Sequence, residues 1–412
     1  MIVQETSCCR ICGQNDLQRL LDLGSQALSG RFPASRTEAI PQGPLLLVRC
    51  ANCGLVQLAH DFDMGELYSH DYGYRSGINE IMRQHLAGIV AKIESLVDLR
   101  PDDVVLDIAA NDGTLLGSYS KPVRKIGIDP IIEGLSQYYS PDVTRVPAFF
   151  TAKSFKDANV GPKAKVISSI AMFYDLPRPH DFVADIAEIL AADGIWVLEQ
   201  AHLGLTLEHC AFDSICHEHL EYYAFAQIDL LTKAHGLRIF AAETNDCNGG
   251  SFRLYVCHKG AAYKTDQASI DALIAMEERQ GVNDLTAFAN MQKRMEALRT
   301  NLISFFKEQK SKGKLVHAYG ASTKGNVLLQ YCGLNSELIA AAADRNPTKW
   351  GKFTPANYIP IISEEESRKQ KPDFYLVLPW HFRKGFIVRE KAYVDQGGKF
   401  IFPLPEFEVY PE

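Results

Sequence analysis

The sequence has no long hydrophobic run. Its longest uninterrupted aliphatic stretch, Leu338 to Ala343, falls far short of the ~20 apolar residues that a membrane-spanning helix needs. Positive charge is not in excess either: 43 Lys and Arg stand against 50 Asp and Glu, for a net charge of -7. Such a chain offers no global attractive field to a phosphate backbone, which excludes nucleic acid as an expected partner. Met1 to Cys9 lacks both a basic start and an apolar core, so no secretory signal is expected. Repeats of solenoid period are missing as well. Cysteine is sparse, 10 in 412 residues, too few for a disulfide scaffold. The remaining class is a cytoplasmic globular enzyme of several domains, since about 100–200 residues make one domain. A monomer is expected of so large a self-contained architecture.

Four blocks follow one another along the chain. Residues 1–66 are rich in Cys, Gly and turn residues, with short strand-like pieces at Leu45–Val48 and Leu55–Leu58. Over 67–258, apolar strand-like runs alternate with helix-like stretches: Val104–Ile108, Lys125–Asp129, Val166–Ile170, Ile195–Glu199 and Phe252–Val256. That alternation predicts an α/β fold with a mostly parallel sheet covered on both faces. Residues 259–310 read as a helical connector, with Phe288, Met291, Met295, Leu298, Leu302 and Phe305 on one apolar stripe. A second, shorter α/β domain over 311–412 carries strands at Lys314–Tyr319, Leu338–Ala343 and Phe374–Leu378.

Four cysteines stand as two Cys-x-x-Cys pairs, Cys9 with Cys12 and Cys50 with Cys53, each followed by a glycine. Four thiolates make a closed tetrahedral Zn²⁺ site, and the glycines let the backbone turn around the metal. Redox dithiols are the alternative, but no thioredoxin-like context surrounds them. A saturated site leaves no position for substrate, so the zinc is expected to be structural.

The stretch Val104–Leu115 reads as a strand, a small-residue turn and a helix start. An acid, Asp129, closes the next strand at about the 20-residue distance that suits a ribose-binding carboxylate. The turn lacks Gly-x-Gly-x-x-Gly, which argues against a dinucleotide pyrophosphate. A ligand with a ribose and no phosphate fits better, and S-adenosylmethionine is one.

The densest chemistry lies in Phe212-Asp-Ser-Ile-Cys-His-Glu-His-Leu-Glu-Tyr-Tyr223. Its histidines, His217 and His219, are two apart rather than four, so they cannot share a helix face as in zinc proteases. Tyr319-Gly-Ala-Ser-Thr-Lys-Gly-Asn326 follows a strand and looks like an anion loop. There Lys324 could face a diphosphate, with Ser322 and Asn326 nearby.

Leu106-Asp-Ile-Ala-Ala-Asn-Asp-Gly-Thr-Leu-Leu116 together with Gly127-Ile-Asp-Pro130 resembles the first two motifs of class I methyltransferases. Across the whole chain the order of parts is similar to that of the sugar C-methyltransferases. Those carry an N-terminal Cys₄ zinc module, a Rossmann-like methyltransferase domain and a C-terminal Rossmann-like domain. In that family the turn has Gly where Ala109 stands, and Ala109 is expected to give a slightly wider turn. The resemblance implies S-adenosylmethionine held by Asp107, Ala109, Asn111, Asp129, Ala171 and Ser76. It implies His219 as the base, tuned by Glu218, with a tyrosine from Tyr72, Tyr74 or Tyr222 assisting. Many relatives have a tyrosine where Cys216 stands, so any role for that hydroxyl is lost here or passes to His217 or Tyr222. The implied substrate is a nucleotide-linked (dTDP or GDP) 4-keto-6-deoxyhexose, methylated at carbon 3 and contacted by Lys324, Ser322, Asn326 and His217. An O- or N-methyltransferase on a sugar nucleotide and a non-catalytic nucleotide-binding partner protein are the alternatives.

Overall fold

A computed structural model describes residues 3–67, 74–159 and 161–412. The N-terminal part begins with β1 (Val3–Glu5), which pairs with β5 (His60–Phe62). Between them, β2 (Leu17–Ala27), β3 (Gln42–Cys50) and β4 (Val56–Leu58) form an antiparallel sheet. Its fourth strand comes from far along the chain: β11 (Glu221–Tyr222) pairs with β4 and closes the edge. The densest chemical stretch is thus anchored on the cysteine-bearing module.

The central sheet holds β6 (Val104–Ile108), β7 (Arg124–Ile128), β8 (Val143–Val146), β9 (Ala164–Ile170), β10 (Leu190–Ala201), β12 (Leu237–Asn245) and β13 (Ser251–His258). Their spatial order is β12-β13-β10-β9-β6-β7-β8. β13 runs antiparallel to both its neighbours, while β8, β7, β6, β9 and β10 are parallel. Because both faces are covered, β6 reads Val-Val-Leu-Asp-Ile with every residue buried. Strand order reverses between β6 and β9, and ligands of open α/β sheets bind at the carboxyl ends there.

The C-terminal sheet has the order β16-β15-β14-β17-β18-β19. Its strands are β14 (Val316–Tyr319), β15 (Ala341–Asp344), β16 (Ile361–Ser363), β17 (Phe374–Val377), β18 (Lys399–Phe402) and β19 (Glu408–Tyr410). All neighbours are parallel except the last pair. The molecule is therefore α/β with two Rossmann-like sheets and a small cysteine-rich module.

Helices α1 (Glu80–Leu96), α2 (Gln267–Gln280), α3 (Leu285–Ser311) and α4 (Thr323–Cys332) bind these parts together. The stretch expected as one connector splits its allegiance. Ile270 and Leu273 of α2 pack in the core of the central sheet. Phe288, Met291, Met295, Leu298 and Leu302 of α3 pack with Leu21, Leu47 and Leu58 of the N-terminal sheet and with Val327 and Leu328 of α4. The stripe on α3 ends on Phe306 rather than Phe305, which is only partly buried. A step of four from Leu302 keeps the last turn on the buried side. No helix among the described residues is long and apolar enough to cross a membrane.

Candidate functional site

The four thiols Cys9, Cys12, Cys50 and Cys53 gather so that their sulfurs all lie within 4.8 Å of one another. Cys9 and Cys53 sulfurs are 3.5 Å apart, and those of Cys12 and Cys50 3.4 Å. A tetrahedron with ~2.3 Å Zn–S arms has edges of about 3.8 Å, so this cluster fits Zn²⁺. Two matching turns build it: Gly13 N–H donates to Cys9 O, and Gly54 N–H to Cys50 O. Both glycines have positive φ, +71° and +76°, where a side chain would be strained. Cys8 stays outside the cluster.

At the reversal point of the central sheet lies a cavity of about 330 Å³. Its floor is the turn after β6, with Asp107, Ala109, Asn111 and Thr114, and the end of β7 with Asp129. Its sides are Tyr74 and Ser76, the β9 end from Ile170 to Leu176, Phe149 and Phe150, and Glu199 of β10. Its roof brings Cys216, Glu218 and His219 together with Cys247, Asn248, Thr323 and Lys324. Three parts of the chain thus meet at one hole.

Ala109 and Asn111 turn the backbone with φ of 57° and 50°, and Ala171 does the same across the cavity with 54°. These are left-handed values, costly for any side chain by about 1–2 kcal/mol. Ala109 thus holds a backbone conformation that glycine would adopt without that cost. Hydrogen bonds hold the conformation: Ala109 N–H donates to Ile128 O at 2.8 Å, and Asn111 N–H to Asp129 Oδ2 at 2.9 Å. Asn111 also ties down the neighbouring segment, since its Oδ1 accepts from Ser76 N–H and its Nδ2 donates to Tyr74 O. Asp107 accepts from Ser168 Oγ at 2.6 Å. Burial pushes its carboxyl up to about 7, and the charge of Asp129 adds to the rise. A cationic ligand would reverse that penalty.

His219 presents one ring nitrogen to the cavity. Its Nδ1 lies 2.7 Å from Ser214 O, which fixes the tautomer with Nδ1 as donor and leaves Nε2 as the acceptor. The ring also leans on Tyr174, with centroids 4.2 Å apart. Burial, and then the positive charge of Lys324, hold the imidazole down to about 3, so it is neutral. Ser214 rather than Glu218 therefore orients the His219 ring. Glu218 sits beside it with burial raising its carboxyl, and its Oε2 has no partner. Lys324 Nζ donates to Asn248 O at 2.7 Å, linking α4 to the loop before β13.

Other residues singled out in the sequence are elsewhere. His217 Nε2 lies 3.1 Å from Gly43 O and its ring meets Phe62 edge-on, so it pins the loop to the N-terminal module. Tyr222 is buried, its hydroxyl donates to Ser214 O at 3.4 Å, and it is not part of the cavity lining. Ser322 caps α4 by accepting from Gly325 N–H. Asn326 donates to Ser29 O at 2.7 Å, a tie between the terminal domains. The expected anion loop thus contributes Thr323 and Lys324 alone to the cavity. Tyr72 lies outside the described residues. Sequence reasoning missed Glu199, Cys247, Phe149 and Phe150, which no local motif marks.

A family model for a C-methyltransferase C-terminal domain matches residues 246–405. A second, for a zinc binding domain, matches residues 9–68. C-methyltransferase NovU from Streptomyces niveus is 30% identical over 412 residues, covering 99% of this chain and 98% of that protein. Among solved structures, magnesium protoporphyrin IX methyltransferase (ChlM) from Synechocystis PCC 6803 with bound SAH aligns with a TM-score of 0.33 and 16% identity, over 44% of this chain and 88% of that one. Mitomycin 7-O-methyltransferase MmcR aligns with a TM-score of 0.35 and 13% identity, over 47% and 57%.

Proposed function

Because the chain belongs to the C-methyltransferase family, we propose that it methylates carbon 3 of a nucleotide-linked 4-keto-6-deoxyhexose, with S-adenosylmethionine as donor. Two clusters facing one cavity support this most: a neutral histidine nitrogen on the roof, and an acid-bearing turn on the floor. Asp107 suits the donor's ammonium group, because a buried carboxyl without a counter-ion gains most from a cation. Asp129 keeps lone pairs for ribose hydroxyls after accepting from Asn111 and Ile131 N–H. Phe149, Phe150 and Leu176 offer apolar walls to a flat base. When bound, S-adenosylmethionine supplies the electrophilic methyl that the substrate carbon accepts.

The keto group at carbon 4 acidifies the hydrogen on carbon 3. His219 Nε2 takes that proton, and its electron pair passes into an enolate whose oxygen becomes negative. Lys324 lines the same cavity and suits that oxygen as a cation, and burial raises the Glu218 carboxyl beside it, which favours the protonated form that could donate to the oxygen. A negative charge growing beside the imidazolium also raises the proton affinity that burial has lowered. Much of the acceleration then comes from holding two reactants aligned.

His219→Asn tests the assignment. Turnover on a panel of dTDP- and GDP-linked 4-keto-6-deoxyhexoses is expected to fall by at least about 100-fold, while calorimetry shows unchanged S-adenosylmethionine affinity. Mass spectrometry and NMR of the wild-type product locate the methyl. A methyl on oxygen or nitrogen would overturn the carbon chemistry, and equal loss of binding and turnover would overturn the base.

A further inference from the structure

On the β10 side of the cavity three potential metal ligands converge from separate elements. His85 comes from α1, Glu199 from the end of β10, and Cys247 from the loop between β12 and β13. A ring nitrogen, a carboxylate oxygen and the thiol sulfur all lie within 4.8 Å of one another. The cluster is well separated in sequence and character from the four-cysteine site: it offers one nitrogen, one oxygen and one sulfur. We propose that His85, Glu199 and Cys247 form a second metal site, for a borderline-soft divalent cation such as Zn²⁺, with its open position facing the cavity.

The surroundings are those of a prepared site. His85 Nε2 lies 2.5 Å from Glu199 Oε1, so one proton is shared where a cation would sit. The other carboxylate oxygen, Oε2, is occupied: Arg253 Nε donates to it at 2.8 Å and Asn245 Nδ2 at 2.9 Å. Carboxylates that ligate metals are held by such outer partners, which turn one oxygen inward. Asn245 serves both ligands, since its Oδ1 accepts from Cys247 N–H at 2.9 Å. Loop and carboxylate are thereby locked to each other.

Arg253 is itself a cation, 2.7 Å from Glu199, yet the net charge it faces stays the same when a metal binds. A divalent ion would displace the proton between His85 and Glu199 and the thiol proton of Cys247. Two positive charges leave as two arrive, and the net charge of the cluster does not change. Tetrahedral arms of about 2.0–2.3 Å need ligand atoms about 3.3–3.7 Å apart, so His85 Nε2 and Glu199 Oε1, 2.5 Å apart, must part slightly, and the Cys247 sulfur, within 4.8 Å of both, must settle at the same spacing. Loss of the shared proton lets the first pair separate, and rotation about the Cα–Cβ bond of Cys247 moves the sulfur. Three protein ligands leave the fourth position open, and Glu199 and Cys247 both line the cavity. Water or an oxygen of the acceptor sugar would complete the shell.

The proposal stands apart from the methyl-transfer reading, because its test counts ions rather than turnovers. Native mass spectrometry of the full-length protein, equilibrated with micromolar ZnCl₂ and desalted, is expected to show two zinc ions per chain. His85→Gln and Cys247→Ser should each hold one. The remaining ion reports an intact four-cysteine module and so separates a lost site from a misfolded variant. A single zinc in the wild type would overturn the proposal, and so would two in either variant.

Discussion

Asp107 shows how far one side chain can be pushed by its place in a sheet. It is the fourth of the five residues of β6, is 4% exposed, and burial lifts its carboxyl from 3.8 to about 7. Between those two values the folded protein holds a proton that the unfolded chain has released. Stability therefore falls as pH rises from about 4 to 7, and the loss is complete above that window. Asp107→Asn removes the titration. We expect the variant to gain stability over the wild type as pH rises, by at most about 1.4 kcal/mol per pH unit. Denaturant melts of both proteins at pH 5 and pH 8 give the difference, while S-adenosylmethionine affinity is expected to drop at least tenfold. A pH-independent difference would show that Asp107 is ionised throughout. From sequence, Asp107 came into view only through the resemblance of Leu106–Leu116 to a methyltransferase motif. Its bond to Ser168, and the left-handed backbone of Ala109 and Ala171, were not legible at all. They depend on strands that lie side by side only after folding.

Periodicity carried most of the elements. β6 has the bounds its apolar run suggests, and β7, β9, β13 and β17 differ from theirs by a residue or two at an end. β12, reading Leu-Arg-Ile-Phe-Ala-Ala-Glu-Thr-Asn, mixes buried and half-exposed positions at a sheet edge and gives no clean signal. β11 is two residues long and exists because β4 offers it an edge, a fact no local pattern contains. On α3 the stripe was legible to Leu302, and the last turn was misread by one residue. Phe306 is fully buried, whereas Phe305 packs from the rim against Phe374 and Phe407. Phe306→Ala is thus expected to cost about 3–5 kcal/mol and Phe305→Ala clearly less. Urea unfolding of the two variants decides it, and the reverse order would restore the stripe that spacing alone suggests.

For the whole molecule, the cysteine module and the reaction cavity are coupled although no cysteine of the cluster lines the cavity. The module's β4 carries β11, Leu58 N–H donates to Leu220 O, and His217 is pinned by Gly43 O. His219 lies between those anchors. The donor side, by contrast, rests on β6, β7 and β9 and on their own turn bonds. Metal binding to such a small module is largely its folding free energy, so removing the ion loosens one wall of the cavity and spares the floor. Replacing one ligand, as in Cys50→Ser, should therefore separate the two functions. Turnover is expected to fall at least tenfold, while S-adenosylmethionine affinity falls by less than threefold. Thermal melts followed by metal analysis should show a lower first transition that rises when Zn²⁺ is restored to the chelated wild type. Equal loss of donor affinity and turnover would mean that the module supports the central sheet as a whole. Loss of neither would mean that the loop bearing His219 keeps its place through Tyr174 and Trp380, which reach it from the central and C-terminal domains.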